Sequence, residues 1–396
     1  MTRIMHVITT LGPAGAETML CRIAPEMDAR RFENEIVSLT GILDLAERMR
    51  RMGVPVRTLG MKKSVPNPLL VMRLAQWIRK SRPDVIHTWM YHANLVGAMA
   101  ARLAGHVPVV WAIHHNSLDP RVDKRRTLIV NRACAFLSWK IPARIVCCSE
   151  ASLLHHKELG YAPDKLEAIP NGVNLEQFMP DPAARVSLRD ELGLTGDAIL
   201  IGLAARFHPH KDHHNFIRAA ALLHEQKPEV HFVLCGLHIT WQNAQLASWI
   251  DAAGLRGCCH LLGVRQDVPR FFAAIDIATT ASRNEAFPIV IGEAMACETP
   301  CVVTDVGDSA RIVGRTGLVV APGDPDALAS AWRKLIVAGP KVRRRLGRAA
   351  RRRVAEHFAI STIVERYQAI YSQLVTRKLR GERSPNVSSV CSVDPQ

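Results

Sequence analysis

The sequence lacks any run of about eighteen predominantly apolar, uncharged residues, so it offers no segment that could cross a bilayer as a helix. It also lacks a C-x-x-C pair, and its 10 cysteines fall mainly in apolar stretches. That pattern is typical of reduced, buried thiols in a reducing compartment. The first residues carry one positive charge and an apolar stretch too short for a signal peptide. We therefore predict a first buried strand there and a cytoplasmic protein.

Acidic residues are scarce relative to basic ones. Asp and Glu number 36 against 51 Lys and Arg, which gives a formal charge of +15. Such an excess attracts anionic partners, whether nucleic acid, an anionic membrane surface or a phosphorylated substrate. Aromatic residues make up only 5% of the chain, and no recognition module or platform of interleaved aromatic residues is visible. We therefore predict no nucleic-acid partner.

Short apolar runs alternate with segments of helical period along the whole chain, which is typical of parallel sheets covered by helices. In the first half we predict strands at residues 4–9, 35–39, 85–87, 109–113 and 144–147. In the second half we predict strands at 199–204, 231–235, 260–262, 277–279, 300–303 and 317–320, with helices at 216–225, 241–253, 289–296 and 325–337. Residues 169–180, rich in Pro, Asn and Gly, predict a linker.

These elements predict an α/β fold of two doubly wound, Rossmann-like domains that face a central cleft. With 396 residues, the chain is long enough for two domains. We place the N-terminal domain at residues 1–180 and the C-terminal domain at 181–357. A helix at 358–376 is predicted to cross back to the N-terminal domain, and a disordered tail is predicted at 377–396.

Ligands of such sheets bind beyond the carboxyl ends of the strands, so the loops there are candidate sites. The first strand is followed by a glycine turn in which Gly12 and Gly15 allow close approach of a ligand to the backbone. The turn lacks the third glycine of G-x-G-x-x-G, and residues 35–39 end without an acid for a ribose, which argues against a nicotinamide dehydrogenase. A plain strand-to-helix turn is the alternative.

In the second half, the strand at 199–204 leads into a loop with two cations five residues apart. Arg206 and Lys211 can face one anion, and Asp212 can cap the following helix. Four histidines in the same stretch suggest a metal site instead: His208, His210, His213 and His214. The two cations and the lack of an accompanying acidic or thiolate ligand disfavour that alternative.

The most specific pattern is a pair of glutamates eight residues apart. Glu285 follows a predicted strand, and Glu293 lies about two turns into the next helix, so both can border a ligand over that helix's N-terminus. The backbone N–H groups of residues 286–289 would hold a phosphate while the carboxylates bind hydroxyls. Taken singly, each glutamate could also be a solvated helix charge.

Together these motifs resemble glycosyltransferase family 4, a family of retaining, nucleotide-sugar-dependent enzymes of the GT-B fold. The resemblance covers roughly residues 3–375. It depends on the glycine turn ending in Gly15-Ala-Glu17, the segment Ile169-Pro-Asn-Gly-Val-Asn174, the Ala-Arg-Phe…Lys-Asp loop and the Glu-x7-Glu element followed by Ala-Met-Ala-Cys. In this family the N-terminal domain binds the acceptor and the C-terminal domain the nucleotide sugar.

The resemblance also implies roles for particular residues. Arg206 and Lys211 would bind the donor diphosphate and Glu293 the nucleotide ribose. Glu285 would bind the transferred sugar with help from the backbone that follows it, at Ala286, Phe287, Pro288 and Ile289. Gly15 would border the phosphates, and His114 would lie beside the sugar, although the adjacent His115 leaves that register open. The resemblance therefore implies His114, Arg206, Lys211 and Glu285 as the catalytic set.

Two departures from the family pattern leave the donor sugar open. The usual Glu-Gly-Phe-Gly is Glu285-Ala-Phe-Pro288 here, and Arg311 stands where the family often has a second acid. The only Asp-x-Asp, at Asp324 and Asp326, begins a predicted helix, where capping explains it. We therefore predict transfer without a metal or other cofactor, with Arg206 and Lys211 neutralising the leaving group.

The predicted function is retaining transfer of a hexose from a nucleotide diphosphate sugar to an acceptor hydroxyl, in polysaccharide or lipid-linked glycan synthesis. Two alternatives stay open: a sugar-nucleotide epimerase or hydrolase on the same fold, and a catalytically silent nucleotide-sugar-binding protein. The joint presence of Arg206, Lys211, Glu285 and Glu293 argues against the silent protein.

One segment of the first half combines charge with apolar residues. Residues 121–139 join a basic start to an apolar helical stretch that ends at Trp139. This favours either core packing or contact with a membrane surface. We predict reversible binding to the inner face of an anionic membrane through four cations: Arg121, Lys124, Arg125 and Arg126.

Overall fold

The chain forms two α/β units. The computed structural model describes residues 1–12, 15–41, 44–61, 68–116, 118, 124–195 and 197–380. Unit 1 contains Met1–Cys148, Ser152–Ile169 and the chain from Val364 onward, and unit 2 contains Ser149–Ala151 and Pro170–Ile363. No helix in these described ranges has the length and apolar character needed to cross a membrane.

Unit 1 is built on a seven-stranded parallel sheet with the order β3-β2-β1-β4-β5-β6-β7. Its strands are β1 Thr2–Ile8, β2 Phe32–Ser38, β3 Val56–Thr58, β4 Val85–Trp89, β5 Val109–Ile113, β6 Arg144–Cys147 and β7 Leu166–Ala168. Its helices are α1 Gly15–Glu26, α2 Asp44–Arg51, α3 Pro68–Ser81, α4 Tyr91–Ala104, α5 Arg125–Ser138, the part of α6, Glu150–Glu158, that follows Ala151, and the part of α15, Ile360–Leu379, that follows Ile363. The central strands β4 and β5 are buried on both faces, as is usual in parallel sheets covered by helices.

Unit 2 repeats this plan with six parallel strands in the order β10-β9-β8-β11-β12-β13. Its strands are β8 Ile199–Ala204, β9 Val230–Cys235, β10 Cys259–Leu261, β11 Ile277–Thr280, β12 Cys301–Thr304 and β13 Leu318–Val320. Its helices are α7 Pro182–Glu191, α8 His213–His224, α9 Ala244–Ala252, α10 Val268–Ala274, α11 Ile289–Ala296, α12 Ser309–Val313, α13 Pro325–Val337 and α14 Gly339–His357.

The strand order indicates where ligands are expected to bind in each unit. The order reverses between β1 and β4 in unit 1 and between β8 and β11 in unit 2. In open α/β sheets the crevice beyond the carboxyl ends of the strands at such a switch point is the binding site. The loops that follow these four strands are therefore the candidate binding loops.

Apart from shifts of up to three residues at the ends of predicted elements, three sequence predictions differ from the structure. The sheet of unit 1 gains two short edge strands, β3 and β7, that the apolar pattern did not predict. The linker predicted at 169–180 is packed within unit 2, because Val173 bridges to Ala359 and Gly172 leaves no room for a side chain against Ile360. The tail predicted from residue 377 begins too early, since α15 continues to Leu379 with Arg377 and Lys378 favourably placed in its last turn. Residues 381–396 lie outside the described residues.

Some positive side chains of helix α14 pack within unit 2, and the others are exposed to solvent. Arg343 is buried and donates to the Leu335 carbonyl (3.2 Å), Arg351 donates to the Phe178 carbonyl (2.9 Å), and Arg353 donates to the Ile312 carbonyl (2.9 Å). These three arginines therefore hold unit 2 together. The other cations of the helix are exposed, namely Lys341, Arg344, Arg345, Arg348 and Arg352.

Candidate active site

The loop after β8 carries the two predicted cations. It turns through a short 3₁₀ segment, Pro209–Lys211, to Asp212, whose side chain accepts a hydrogen bond from the Asn215 backbone N–H (3.3 Å) and caps α8. Asp212 was predicted to cap this helix, and that prediction is confirmed. Lys211 is half-buried. Arg206 is exposed, and its guanidinium makes no ion pair or hydrogen bond with any described residue.

The loop after β11 brings Glu285 to Lys211. The Lys211 Nζ and the Glu285 Oε1 form an ion pair, with the lysine side chain 23% exposed and the glutamate side chain 13% exposed. The Ser282 hydroxyl donates to the same carboxylate oxygen (2.8 Å). A cation and a carboxylate separated by 74 residues thus meet at the switch point, because β8 and β11 are neighbouring strands.

Arg283 ties these two loops together a second time. Its backbone N–H donates to the His210 carbonyl (2.8 Å), and its guanidinium pairs with the Asp212 carboxylate. The positions of Lys211 and Glu285 are therefore fixed by contacts on both sides of the ion pair. Arg283 was not among the predicted site residues, because its only signal in the sequence is a cation two residues before Glu285.

A third loop, after β12, closes against Glu285. Gly307 has a φ of +54°, and a Cβ there would lie 2.1 Å from the Glu285 carbonyl oxygen, so only glycine fits. The next residue, Asp308, donates its backbone N–H to the Ala286 carbonyl (3.0 Å) and accepts at its carboxylate from the Glu150 N–H (3.1 Å). Arg311, which departs from the family pattern, pairs with Glu150 (3.0 Å).

The loop that carries Glu285 leads directly into the N-terminus of α11. Glu293 is buried, at 6% exposure, on this helix. Gly292 beside it makes room for Val173, since a Cβ there would lie 2.7 Å from the valine side chain. The motif around Asn171 therefore packs against α11, and the Asn171 amide donates to the Phe287 carbonyl (3.5 Å).

Of the four residues predicted to donate a backbone N–H group to a phosphate, only three can do so. Proline has no N–H, so Pro288 cannot donate to a phosphate, and the expectation that it would was wrong. Pro288 instead precedes the first residue of α11, where its fixed φ suits the turn into a helix. The donors left are the N–H groups of Ala286, Phe287 and Ile289.

The two candidate histidines after β5 turn to opposite faces of the sheet of unit 1. His114 stacks on Trp89, with ring centroids 5.2 Å apart. The His115 ring lies 6.3 Å from the ring of Tyr91, which belongs to the hydrophobic core on the opposite face. In the same unit, Gly15 is the first residue of α1 and is exposed, with open space where a side chain would stand.

The four histidines suggested as metal ligands do not converge on one point. His213 is buried against Phe207 (5.3 Å between ring centroids), and burial lowers its pKa to about 4. His214 lies on Trp249 (4.9 Å), and the rings of His208 and His210 are 5.0 Å apart. Across the described ranges, no group of three or more His, Cys, Asp or Glu side chains is arranged to hold a metal ion.

Comparisons with known proteins identify the family and the fold. Two family models match the chain in sequence: "Glycosyltransferase Family 4" over residues 13–177 and "Glycosyl transferases group 1" over residues 185–353. The chain is 27% identical over 362 residues to the UDP-Gal:alpha-D-GlcNAc-diphosphoundecaprenol alpha-1,3-galactosyltransferase of Escherichia coli, covering 89% of this chain and 91% of that protein. It is 31% identical over 332 residues to a D-inositol 3-phosphate glycosyltransferase of Streptomyces avermitilis, covering 76% of this chain and 68% of that protein.

Solved structures show the same fold. The Anabaena protein Alr3699/HepE in complex with UDP superposes with a TM-score of 0.83 at 24% identity, covering 94% of this chain and all of that one. Its complex with UDP-glucose superposes with a TM-score of 0.82. The architecture is that of the GT-B glycosyltransferases, built from two Rossmann-like domains.

The chain belongs to glycosyltransferase family 4, and it is a glycosyltransferase. The predictions of the family, of the α/β fold with two Rossmann-like domains and of glycosyl-transfer chemistry are thereby confirmed. The roles of the individual site residues stay predictions.

Proposed function

We propose that this enzyme transfers a hexose from a uridine diphosphate sugar to a hydroxyl of a lipid-linked acceptor, with retention of the anomeric configuration. The uridine nucleotide is suggested by the Escherichia coli relative, whose name gives UDP-Gal as donor and a diphosphoundecaprenol-linked sugar as acceptor. It is also suggested by the UDP-glucose complex of the Anabaena protein. In the reaction, the bond from the sugar's anomeric carbon to the diphosphate breaks and UDP leaves, a bond to the acceptor oxygen forms, and the proton of the acceptor hydroxyl passes to the departing diphosphate.

The ion pair between Lys211 and Glu285 is the observation that carries this proposal. In a nucleotide sugar the negative diphosphate and the hydroxyl-bearing sugar are adjacent, so a site for both needs a cation beside a hydrogen-bond acceptor. Lys211 and Glu285 provide that pair at the switch point. We assign the diphosphate to Lys211 and Arg206, and the transferred sugar to Glu285.

The remaining assignments complete the donor site. Glu293 on α11 binds the ribose, and the N–H groups of Ala286, Phe287 and Ile289 approach the phosphate side of the sugar. In unit 1, Gly15 borders the phosphates and His114 the sugar. These roles follow from the family resemblance, and the exposed N-terminus of α1 and the half-buried position of His114 are compatible with them.

We further propose that the transfer needs no metal ion. A leaving diphosphate can be neutralised by a divalent cation held on acidic residues or by fixed positive side chains. The only Asp-x-Asp sequence has another task, because the Asp324 carboxylate accepts from the Ala327 N–H (2.9 Å) and caps α13. Lys211 and Arg206 stand in the place of the metal.

A donor screen tests the proposed reaction. We expect slow hydrolysis of UDP-glucose or UDP-galactose, and little hydrolysis of GDP- or ADP-sugars, with the hexose released. When a lipid-diphosphate-linked sugar is added as acceptor, ¹H NMR of the product should show the anomeric configuration of the donor. Inversion would contradict retention, release of an epimerised nucleotide sugar would identify an epimerase, and tight binding without turnover would identify a silent protein.

Helix α5 supports a membrane role for unit 1. Exposed side chains follow one another at helical spacing along one stripe, which consists of Arg125, Ile129, Arg132 and Phe136, is continued by Trp139 and Lys140, and has the exposed Lys124 and Arg126 beside its basic start. Ile129 is 65% exposed and Phe136 is 69% exposed. Its opposite face, with Cys134 and Ala135, is buried, so the helix both packs in the core and presents a basic, apolar surface. Arg121 lies outside the described residues.

We propose that this stripe binds the anionic inner face of a membrane reversibly. The protein should sediment with vesicles that contain phosphatidylglycerol at low salt and be released at about 0.5 M salt, because each well-placed cation contributes about 1 kcal/mol that salt screens. Replacing Lys124, Arg125, Arg126 and Arg132 by serine should abolish sedimentation at low salt.

Helix α14 offers the matched control. Replacing Arg344, Arg345, Arg348 and Arg352 by serine removes the same charge from an exposed stripe without apolar partners. That variant should still sediment. Equal loss of binding in both variants would mean that net charge alone acts, and a wild type that ignores anionic vesicles at low salt would refute the membrane proposal.

A further inference from the structure

One face of the sheet of unit 1 carries a layer of rings where apolar side chains are usual. Side chains two residues apart on a strand share a face, so His87 and Trp89 on β4 lie beside His6 on β1. His87 and Trp89 have ring centroids 4.5 Å apart, and His6 and His87 have centroids 5.5 Å apart. We call this the aromatic layer, and its members are His6, His87, Trp89, His114, Tyr367 and Tyr371.

The C-terminal helix covers this layer. Tyr371 on α15 forms a hydrogen bond through its hydroxyl with the Nδ1 of His87 (2.7 Å), and the Tyr367 ring lies 5.6 Å from the His87 ring. All three side chains are buried. Burial lowers the pKa of His87 well below its usual value and the pKa of His6 to about 4. The covered part of the layer is therefore neutral at pH 7.

The indole of Trp89 is held at its edge by a defined chain of hydrogen bonds. Its N–H can only donate, so the His6 Nδ1 that it contacts (3.3 Å) is the acceptor. The other ring nitrogen, Nε2, then carries the proton and donates to the Asn34 Oδ1 (3.1 Å). The Asn34 amide in turn donates to the Ala24 carbonyl (3.1 Å). The plane of the indole is thus set by a chain that ends on the backbone of α1.

His114 rests on the face of that indole. The two rings are nearly parallel, with an interplanar angle of 26° and centroids 5.2 Å apart. The His114 backbone N–H donates to the sulfur of Met90 (3.3 Å). Met90 has a φ of +73°, which is uncommon outside glycine, and strained backbone of this kind persists only where its surroundings enforce it. The end of β4 therefore contacts both the ring and the backbone of His114.

We propose that Trp89 is a positioning residue for glycosyl transfer, which holds the imidazole of His114 in its working orientation through the chain from Asn34 and His6. The inference rests on the proposed function, in which His114 borders the transferred sugar. Trp89 itself is fully buried, so it acts on the reaction only through His114.

The test compares four enzymes on the nucleotide sugar that the donor screen selects: wild type, Trp89→Leu, His114→Ala and the double variant. Trp89→Leu should lower kcat about 10- to 100-fold with little change in donor KM, because small misplacements of a catalytic group have effects of this size. In the His114→Ala background the same change should alter kcat less than about twofold, since the group it positions is gone. Trp89→Phe, which keeps a ring face under His114, should recover most of the lost kcat.

Trp111 supplies the matched control for stability. It is a fully buried tryptophan on the neighbouring strand β5, and it belongs to the core on the opposite face of the sheet. Trp111→Leu should lower Tm about as much as Trp89→Leu while kcat stays unchanged. If Trp89→Leu does not fold, the comparison is made with Trp89→Met and Trp111→Met, which also lack a ring; a loss of kcat in the first alone supports the proposal, and unchanged kcat in both would overturn it.

Two outcomes would overturn the inference, and they differ. If His114→Ala lowers kcat but Trp89→Leu lowers it by the same factor with and without His114, Trp89 does not act through His114, and the proposed role of His114 survives. If His114→Ala leaves kcat unchanged, the assignment of His114 fails, and the positioning role of Trp89 fails with it.

Discussion

Replacing Lys211 by alanine is expected to lower kcat about 10²- to 10³-fold, the loss observed when one preorganised group that stabilises developing charge is removed. The lysine is tied into the switch point of unit 2 by its ion pair with Glu285. In the reaction, negative charge grows on the diphosphate as the bond to the sugar breaks. A fixed cation at that point stabilises the transition state more than the ground state, so the effect should be on kcat rather than on KM alone.

Nucleotide-binding measurements distinguish two roles for Lys211: direct contact with the diphosphate, and holding Glu285 in place. If it contacts the diphosphate, Lys211→Ala should weaken UDP binding about 10-fold or more, as expected for a lost hydrogen bond between charged groups, while UMP binding hardly changes. If it only holds Glu285 in place, UDP and UMP should bind to the variant as they bind to the wild type. Calorimetric titration with both nucleotides therefore distinguishes the assignments, and unchanged turnover would exclude both.

The control for charge is Lys227, which lies outside the site and pairs only weakly with Glu229, at 3.7 Å. Lys227→Ala should leave kcat and nucleotide binding unchanged. Activity of the wild type should also survive EDTA, because Lys211 and Arg206 are proposed to stand in for a metal. Complete loss of activity in EDTA that a divalent cation restores would contradict that proposal and return attention to His208 and His210.

Long, strongly patterned elements could be predicted from the sequence, whereas short edge elements could not. The bounds of β8, α11 and α13 match their predictions residue for residue. The strands missed in unit 1, β3 and β7, have three residues each and lie at the two edges of the sheet. A segment of that length has too few residues to show a period, and its pairing with a neighbour decides its conformation.

In the candidate site, single residues could be predicted from the sequence, whereas their contacts could not. The sequence identified Lys211 and Glu285 separately, because each follows a predicted strand. It could not show their contact, which depends on β8 and β11 being neighbours although two strands intervene along the chain. Likewise, the composition of residues 341–353 shows a basic helix, but only packing shows that Arg343, Arg351 and Arg353 serve the fold.

The aromatic layer could not be foreseen at all. In the sequence, His6 and His87 interrupt apolar runs as single polar residues, and nothing local distinguishes a core histidine from a ligand. Their shared face follows from the pairing of β1 with β4, which aligns His6 with His87. Their neutral state follows from burial under α15, a helix that is more than 270 residues away along the chain.

The two glutamates should respond differently to the loss of their charge. Glu285→Gln should lower kcat about 10²-fold at saturating donor, because a carboxylate placed at the transferred sugar acts where charge develops. Donor affinity should not fall, since the change also releases Lys211 from its ion pair and leaves the cation free for the diphosphate. The Ser282 hydroxyl can still donate to the amide oxygen of the new side chain, so the loop should keep its shape.

Glu293→Gln should instead weaken donor binding about 10- to 100-fold with a smaller effect on kcat. A hydrogen bond from a ribose hydroxyl to a buried carboxylate contributes about 1.5 to 3 kcal/mol, and this contribution is the same in the ground state and the transition state. Glu229→Gln, at an exposed position on the same unit, controls for the loss of one negative charge. Binding of UDP and of uridine should fall equally in Glu293→Gln, because both carry the ribose, whereas Lys211→Ala should affect UDP alone. Equal donor affinity in the wild type and both glutamate variants would refute the ribose assignment, and unchanged kcat in Glu285→Gln would refute the sugar assignment.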